Sequence, residues 1–375
     1  MSTKSKKRTQ RKIAIILGTR PEIIKMTPVI RALEGKGADY YILHTGQHYS
    51  YNLDRIFFEQ LKLPDARYNI DAGSGSHAEQ TAKILVGVEE VLLKDRPDVV
   101  LVEGDTNSVL AGALAATKLH VQVGHVEAGL RSYDRQMPEE INRILADRCS
   151  DYLFAPTKKA KSILLHEGIP KSKIFVTGNT IVDAVYQNLE IARRSPNRNF
   201  RPITSHVEHR ALNLEPRTYF LVTLHRQENV DNSTRLKGIL QGLELVASEF
   251  SLPVIYPIHP RAAKMMRQFR LKPKNIELVE PLDFLAFLQL ESNARLLLTD
   301  SGGVQEEACI LKVPCVTLRD NTERPETINV GANVLAGATP NKILECTRLM
   351  LQRSTKWKNP FGDGKAGQRI VEIVT

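Results

Sequence analysis

A chain of 375 residues exceeds the roughly 250–300 over which one hydrophobic core keeps growing, so two domains are predicted. Its 42% hydrophobic, 25% charged and 6% aromatic residues, with 22 Gly and 19 Pro, exclude collagen-like and largely disordered classes. No window approaches the roughly 18 consecutive apolar residues needed to span a bilayer, which predicts a cytoplasmic protein without membrane insertion. The net charge of +10 invites a nucleic-acid reading, but Lys4, Lys6, Lys7, Arg8, Arg11 and Lys12 carry six of those charges, leaving +4 on the 363 residues that follow. Residues 1–11 therefore read as a solvated basic tail, and no nucleic-acid partner is predicted. Cys149, Cys309, Cys315 and Cys346 show neither CxxC pairing nor zinc-finger spacing to His, so they read as buried free thiols and no metal site is predicted.

The body opens with Ile13-Ala14-Ile15-Ile16-Leu17, an apolar run ending in Gly18. From Glu22 to about Leu33, the residues Ile23, Ile24, Met26, Val29, Ile30 and Leu33 recur at helical spacing, giving strand, turn, helix. Strands are predicted next at Tyr40–Leu43, Val99–Glu103, Gln122–Val126, Tyr152–Phe154 and Ile174–Val176, with helical periodicity over Ala78–Leu93, Asn107–Leu119 and Glu139–Arg148. Strands apolar on both faces and alternating with helices predict a mostly parallel, doubly wound α/β sheet. Between about Ile191 and Arg217, Arg, Pro, Asn and His replace the apolar rhythm. A second βα series follows, with strands at Tyr219–Leu224, Val254–Ile258, Ile276–Val279, Arg295–Thr299 and Pro314–Leu318. The predicted organisation is an N-terminal Rossmann-like domain over 12–192, a connection over 193–217 and a C-terminal Rossmann-like domain over 218–355. Open α/β sheets bind ligands beyond the carboxyl ends of their strands, so two such domains facing a central cleft are expected to place their chemistry in the post-strand loops.

The first such loop, Gly18-Thr19-Arg20-Pro21-Glu22-Ile23-Ile24-Lys25, is neither GxGxxG nor a Walker motif. It nevertheless puts Arg20 and Lys25 near a helix N-terminus, where anions are favoured. In Glu103-Gly104-Asp105-Thr106-Asn107-Ser108, Asp105 is either a helix cap or a functional acid. In Gly124-His125-Val126-Glu127-Ala128-Gly129-Leu130-Arg131, Glu127 ends a strand among apolar neighbours, where an acid has little structural reason to be. Pro138-Glu139-Glu140-Ile141-Asn142-Arg143 starts a helix with ordinary first-turn acids, yet Asp105, Glu127 and Glu139 all lie near strand ends of one sheet and are predicted to converge beside Arg20 and Lys25.

In the second half, His225 and Arg226 follow the domain's first strand and suit phosphate contact, while His259 and Arg261 follow its second. Thr299-Asp300-Ser301-Gly302-Gly303-Val304-Gln305-Glu306-Glu307 is a strand followed by a Gly-Gly helix start. The Ser301 hydroxyl and the backbone N–H groups of Gly302 and Gly303 are predicted to cradle a diphosphate, with Glu307 on the hydroxyls of a ribose. Arg324, in the loop after the next strand, joins the same edge.

Together GTRPEIIK at 18–25, EGDTNS at 103–108, GHVEAGLR at 124–131, PEEINR at 138–143, DSGGVQEE at 300–307 and TERPE at 322–326 resemble the non-hydrolysing UDP-N-acetylglucosamine 2-epimerases, in order and spacing, through the Asn359–Gly364 segment. The resemblance implies a GT-B-like fold, with a C-terminal segment (356–375) whose helix crosses back to the first domain. It also implies reversible C2 epimerisation of UDP-GlcNAc to UDP-ManNAc without metal, nicotinamide or other cofactor, in a homodimer. By the same resemblance, Asp105, Glu127, Glu139 and His225 are catalytic, and Arg20, Lys25, Arg143, Ser301, Gly302, Gly303, Glu307 and Arg324 contact the UDP-sugar. Members that need substrate as an allosteric activator resemble Gln-His-Arg where this chain has Gln47-His48-Tyr49, and carry Arg where it has Gln227. The alternatives are a GT-B glycosyltransferase, a hydrolysing epimerase releasing free ManNAc, and a catalytically silent nucleotide-sugar sensor.

Overall fold

The computed structural model describes residues 10–47, 51–194 and 214–375. Most of the expected basic tail and of the expected connection over 193–217 lies outside these residues. The chain divides into two compact units, Met1–Gln187 with Phe361–Thr375, and Asn188–Pro360.

In the first unit, β1 (Lys12–Leu17), α1 (Arg20–Lys36), β2 (Asp39–His44), α2 (Tyr51–Gln60), β3 (Tyr68–Asn69), α3 (His77–Lys94), β4 (Val99–Glu103) and α4 (Asn107–Lys118) alternate strand with helix. The series continues through β5 (Gln122–Val126), α5 (Pro138–Cys149), β6 (Tyr152–Ala155), α6 (Lys158–His166), β7 (Ile174–Val176) and α7 (Thr180–Arg194), the last running past the unit's boundary. The strands form one parallel sheet in the order β3-β2-β1-β4-β5-β6-β7. Strand order reverses between β1 and β4, which opens a crevice beyond their carboxyl ends. Gly18 sits there because a Cβ would lie 1.9 Å from Thr45 Oγ1 and 2.5 Å from Ser108 Oγ.

The second unit repeats the scheme with β8 (Phe220–Thr223), α8 (Gln227–Val230), α9 (Ser233–Phe250), β9 (Val254–Pro257), α10 (Pro260–Gln268), β10 (Ile276–Val279) and α11 (Phe284–Asn293). It is completed by β11 (Leu296–Thr299), α12 (Gly302–Leu311), β12 (Cys315–Thr317), α13 (Pro325–Asn329), β13 (Asn333–Leu335) and α14 (Pro340–Gln352). Its parallel sheet runs β10-β9-β8-β11-β12-β13, so here the switch point lies between β8 and β11. Alternate residues of one strand feed opposite cores: Phe220 and Val222 pack with Ile239 and Leu243, whereas Tyr219 and Leu221 pack with Leu290 and Ala308. Burial on both faces, at about 1.5–3 kcal/mol for each large aliphatic side chain, is why these strands read as unbroken apolar runs.

Two edge strands, β3 and β13, were not expected, and at two and three residues they are too short to show a period. Cys309, Cys315 and Cys346 are buried, but Cys149 is only partly so. Near the C-terminus the Trp357 indole still donates to Cys309 O at 2.9 Å, within the second unit. The chain then rejoins the first unit, where Asn179 N donates to Phe361 O at 2.8 Å and Gly367 N to Asp183 Oδ1 at 3.0 Å. The last helix, α15 (Ala366–Val374), packs on α1 so closely that a Cβ at Gly367 would lie 2.8 Å from the Pro28 backbone. The expected return of the C-terminal helix to the first domain is this contact.

Candidate active site

The first unit gathers buried acids at its switch point. Thr19 caps α1, and the Glu22 carboxylate accepts hydrogen bonds from Gly18 N at 2.5 Å, Thr19 N at 3.1 Å and the Thr106 hydroxyl. Burial outweighs those bonds and, with Asp105 nearby, pushes Glu22 up to about 7. One turn further along α1, Lys25 Nζ lies 2.6 Å from Glu127 Oε2 and 3.2 Å from Glu103 Oε1. The ammonium that the sequence offered to substrate thus stands on two carboxyl groups. Glu127 sits just past β5 at φ 68°, in the left-handed region that residues other than glycine seldom occupy, and accepts from Asn179 Nδ2 at 2.8 Å. Burial drives Glu103 well above the ordinary carboxylate range against the pull of Lys25, and Glu127 adds to the rise.

Thr106, not Asp105, caps α4, so Asp105 is spared that duty. One of its oxygens instead accepts from Arg143 Nε at 2.9 Å and Nη2 at 2.7 Å. Pro138 opens α5 as the sequence suggests, but the two adjacent acids that follow part ways. Glu140 is buried and accepts from Ser132 N at 2.9 Å and Tyr133 N at 3.0 Å; burial alone would raise it, and these bonds together with Arg143 hold it below its ordinary value. Glu139 is only partly buried, and among the described residues its carboxyl group has no hydrogen bond or ion pair. Both loops rest on a buried relay that the sequence reading did not separate from its motif. His125 Nδ1 is 2.7 Å from Asp147 Oδ1, His125 Nε2 is 2.8 Å from Gly104 O, and Asp147 Oδ2 accepts from Arg131 Nη2 at 2.6 Å and Gly129 N at 3.2 Å. Gly104 precedes Asp105, and His125 and Gly129 flank Glu127 at two residues on each side, so this network ties down the backbone before Asp105 and around Glu127. Arg20 lies 3.3 Å from Asp54 Oδ1, which is itself buried against His44, and its guanidinium stacks 4.7 Å from the Phe57 ring.

In the second unit the organising acid is Asp300, just past β11. It is fully buried and accepts from His225 N at 3.1 Å, Arg226 N at 2.9 Å and Asn229 Nδ2 at 3.2 Å. Burial opposes ionisation, but these donors and the His225 ring keep the carboxyl group below its ordinary range. His225 Nδ1 is 3.2 Å from Asp300 Oδ1, which selects the tautomer protonated at Nδ1 and leaves Nε2 for a ligand. Ser301 caps α12, whose first residues are Gly302 and Gly303. A Cβ there would meet nothing nearer than 3.6 Å and 3.9 Å respectively, so the fold itself does not require glycine at either position. Bare backbone at a helix N-terminus is what close approach of an anion requires. Arg324 Nε is 2.9 Å from Glu306 Oε1. Glu307 neighbours Glu291, a buried carboxyl group raised above its ordinary range by burial and by Glu307.

Each unit therefore collects its own share of the expected residues: Lys25, Asp105, Glu127 and Arg143 with their partners in the first, and His225, Ser301, Gly302 and Gly303 around the β8–β11 switch point in the second. Of the positions expected to mark an activator site, His48 and Tyr49 lie outside the described residues. Gln47 serves the fold, its Oε1 accepting from Ser108 N at 2.9 Å and Ser108 Oγ at 2.7 Å. Gln227 is the first residue of α8.

Comparison with known proteins gives one consistent result. A family model described as UDP-N-acetylglucosamine 2-epimerase matches residues 31–375. The chain is 58% identical over 369 residues to a UDP-N-acetylglucosamine 2-epimerase of Methanocaldococcus jannaschii, covering 97% of this chain and 99% of the relative. It is 41% identical to a UDP-2,3-diacetamido-2,3-dideoxy-D-glucuronate 2-epimerase of Pseudomonas aeruginosa, covering 97% and 99%. The crystal structure of the M. jannaschii UDP-GlcNAc 2-epimerase in complex with UDP-GlcNAc and UDP superposes with a TM-score of 0.82 at 57% identity, covering 97% of this chain and 99% of that one.

Proposed function

Because the chain belongs to the UDP-N-acetylglucosamine 2-epimerase family, we propose that it interconverts UDP-GlcNAc and UDP-ManNAc without releasing free sugar. The C2 proton of a pyranose is not adjacent to a carbonyl, so a base alone cannot remove it at a useful rate. Departure of UDP from C1 creates oxocarbenium character that acidifies C2–H, and loss of the proton leaves a 2-acetamidoglucal beside UDP. Re-addition of UDP with protonation on the opposite face inverts C2.

In this scheme the departing diphosphate is taken up by the N-terminus of α12, by Ser301 and by the outward nitrogen of His225, while Arg20 and Arg324 add cations and Glu307 holds the ribose. Asp105, Glu127 and Glu139 handle protons at the sugar, and Lys25 and Arg143 hold the first two of these acids in place. More than one acid is required, because a base that returned its own proton would regenerate the starting isomer. The observation that carries this reading is the gathering of Asp105 and Glu127 at adjacent strand ends, Asp105 paired with Arg143 and Glu127 with Lys25. A glycosyltransferase needs a single base.

Incubating the protein with UDP-GlcNAc alone and following the sugar by proton NMR tests the proposal. UDP-ManNAc is expected to accumulate to a constant ratio with its precursor, and the same ratio is expected from UDP-ManNAc. Free ManNAc with UDP would mean hydrolysis instead. Faster turnover of the diacetamido-glucuronate nucleotide would reassign the substrate.

A further inference from the structure

The φ of 68° at Glu127 is one that a residue with a side chain keeps only where its surroundings over-determine it. The residues two positions before and after it bond to a single carboxyl group: His125 Nδ1 is 2.7 Å from Asp147 Oδ1, and Gly129 N donates to Asp147 Oδ2 at 3.2 Å. His125 and Asp147 are both buried. The other ring nitrogen, His125 Nε2, is 2.8 Å from Gly104 O, immediately before Asp105. Gly104 has φ 87°, and a Cβ there would meet nothing within 4 Å, so the turn's backbone and not a lack of room calls for glycine. Its N–H donates to Val126 O at 3.2 Å, next to Glu127. One imidazole thus joins the turn before Asp105 to the clamp around Glu127.

The partners fix the ring's protonation. A backbone carbonyl oxygen accepts and cannot donate, so Nε2 carries a proton. Asp147 also accepts from Arg131 Nη2 at 2.6 Å and from Gly129 N, both of which favour its ionised form, so the proton between Oδ1 and Nδ1 belongs on the ring. Burial alone would lower the imidazole, but Asp147 and the Gly104 carbonyl raise it above its ordinary value against the pull of Arg131. Arg131 is in turn paired with Glu167 at 2.7 Å, so within this network two cations meet two carboxylates. We propose that His125 is an imidazolium at neutral pH and a positioning residue of the site, its two N–H groups holding Asp105 and Glu127 in place through Gly104 and Asp147. The inference rests on the proposed epimerisation. A neutral ring has one N–H and keeps only one of the two arms, leaving a lone pair against either the carbonyl or the carboxylate. Displacing a proton-handling group by about 1 Å slows the chemical step by up to about 10²-fold, so the loss of an arm falls on turnover and not on affinity for UDP.

The two arms can be cut one at a time. An asparagine amide nitrogen falls where Nδ1 of histidine lies, and a glutamine amide nitrogen where Nε2 lies. His125→Asn therefore keeps a donor for Asp147 and loses the one for Gly104, whereas His125→Gln does the reverse. Each is expected to lower kcat by about 10-fold or more in both directions, with UDP affinity by calorimetry within about twofold of wild type; His125→Phe, which loses both donors, is expected to fall further. Turnover is read per UDP-binding site, because a merely structural role would reduce active sites and kcat together and leave that quotient unchanged. In wild-type protein carrying isotope-labelled histidine, the His125 ring, assigned by its loss from the NMR spectrum of whichever variant folds, is expected to have protons on both nitrogens at neutral pH. A His125 ring with one bare nitrogen, or wild-type turnover per UDP site in either His125→Asn or His125→Gln, overturns the inference. A wild-type protein that carries both ring protons yet leaves UDP-GlcNAc unchanged would instead overturn the proposed function and leave the imidazolium standing.

Discussion

The two units share an architecture, but Asp300 in the second and Glu22 and Glu103 in the first are shifted in opposite directions. In the second, Asp300 has backbone and side-chain donors enough to offset its burial, so it stays ionised and spends its charge fixing His225 and the loop after β8. In the first, Glu22 and Glu103 lie buried among other acids, and burial outweighs the groups that favour ionisation, so both carboxyl groups are raised above their ordinary range. The balance between burial and the groups that favour the ionised form decides which chemistry one scaffold carries. On this account the second unit orients an anion, and the first moves protons.

The largest expected effect separates these roles. Asp105→Asn, Glu127→Gln and Glu139→Gln should each lower kcat for epimerisation by roughly 10²-fold or more, with UDP affinity by calorimetry changing little. In the second unit the emphasis reverses: Glu307→Ala and Arg324→Ala should weaken UDP binding by about 10-fold, about 1.4 kcal/mol, while kcat at saturating substrate stays within about threefold. A second-unit variant that lost kcat but kept UDP affinity would break the division.

A smaller effect tests the first unit's protonated acids through stability. A carboxyl group raised to about 7 from an ordinary 4.5 binds its proton more tightly when folded, so its contribution is fully present below 4.5 and is lost as pH rises through about 7. Glu22→Gln keeps an acceptor for Gly18 N and Thr19 N but cannot ionise. Between pH 4.5 and 7 its melting temperature should fall less than that of wild type, the gap reaching about 2–4 °C per kcal/mol of difference. A wild-type curve that rises over that window at the same rate as the variant would mean that Glu22 is ionised. The smallest effect is expected from the region that belongs to neither site. Deleting residues 1–9, which contain no residue of either group, should leave turnover nearly unchanged.

What the sequence made legible follows from burial. Ile13–Leu17 and Val99–Glu103 announce themselves because a strand covered on both faces admits no polar interruption, whereas β3 and β13 are too short to carry any pattern. The positions of Asp105, Glu127 and His225 were readable because polar residues directly after apolar strands must face the carboxyl edge of the sheet. Their partners were not. Glu22 looks like an ordinary first-turn acid, and Glu103 like the last residue of a strand; only the fold brings them against Thr106 and Lys25. Glu139 and Glu140 are adjacent in sequence and about 100° apart on a helix, and nothing in the chain foretells which one the 132–133 loop will bury. Asp300 was visible as part of a motif, but its role as an acceptor for the backbone of His225 and Arg226 depends on strands that are 76 residues apart in register, Thr223 beside Thr299.

The central claim, that C2 is inverted by proton transfer at two faces of the sugar, is tested most directly by running the reaction in deuterium oxide from UDP-GlcNAc and reading C2 of the product by NMR. The acid that protonates the intermediate exchanges with solvent, so UDP-ManNAc should form with deuterium at C2. UDP-ManNAc formed with its C2 protium fully retained would contradict the account.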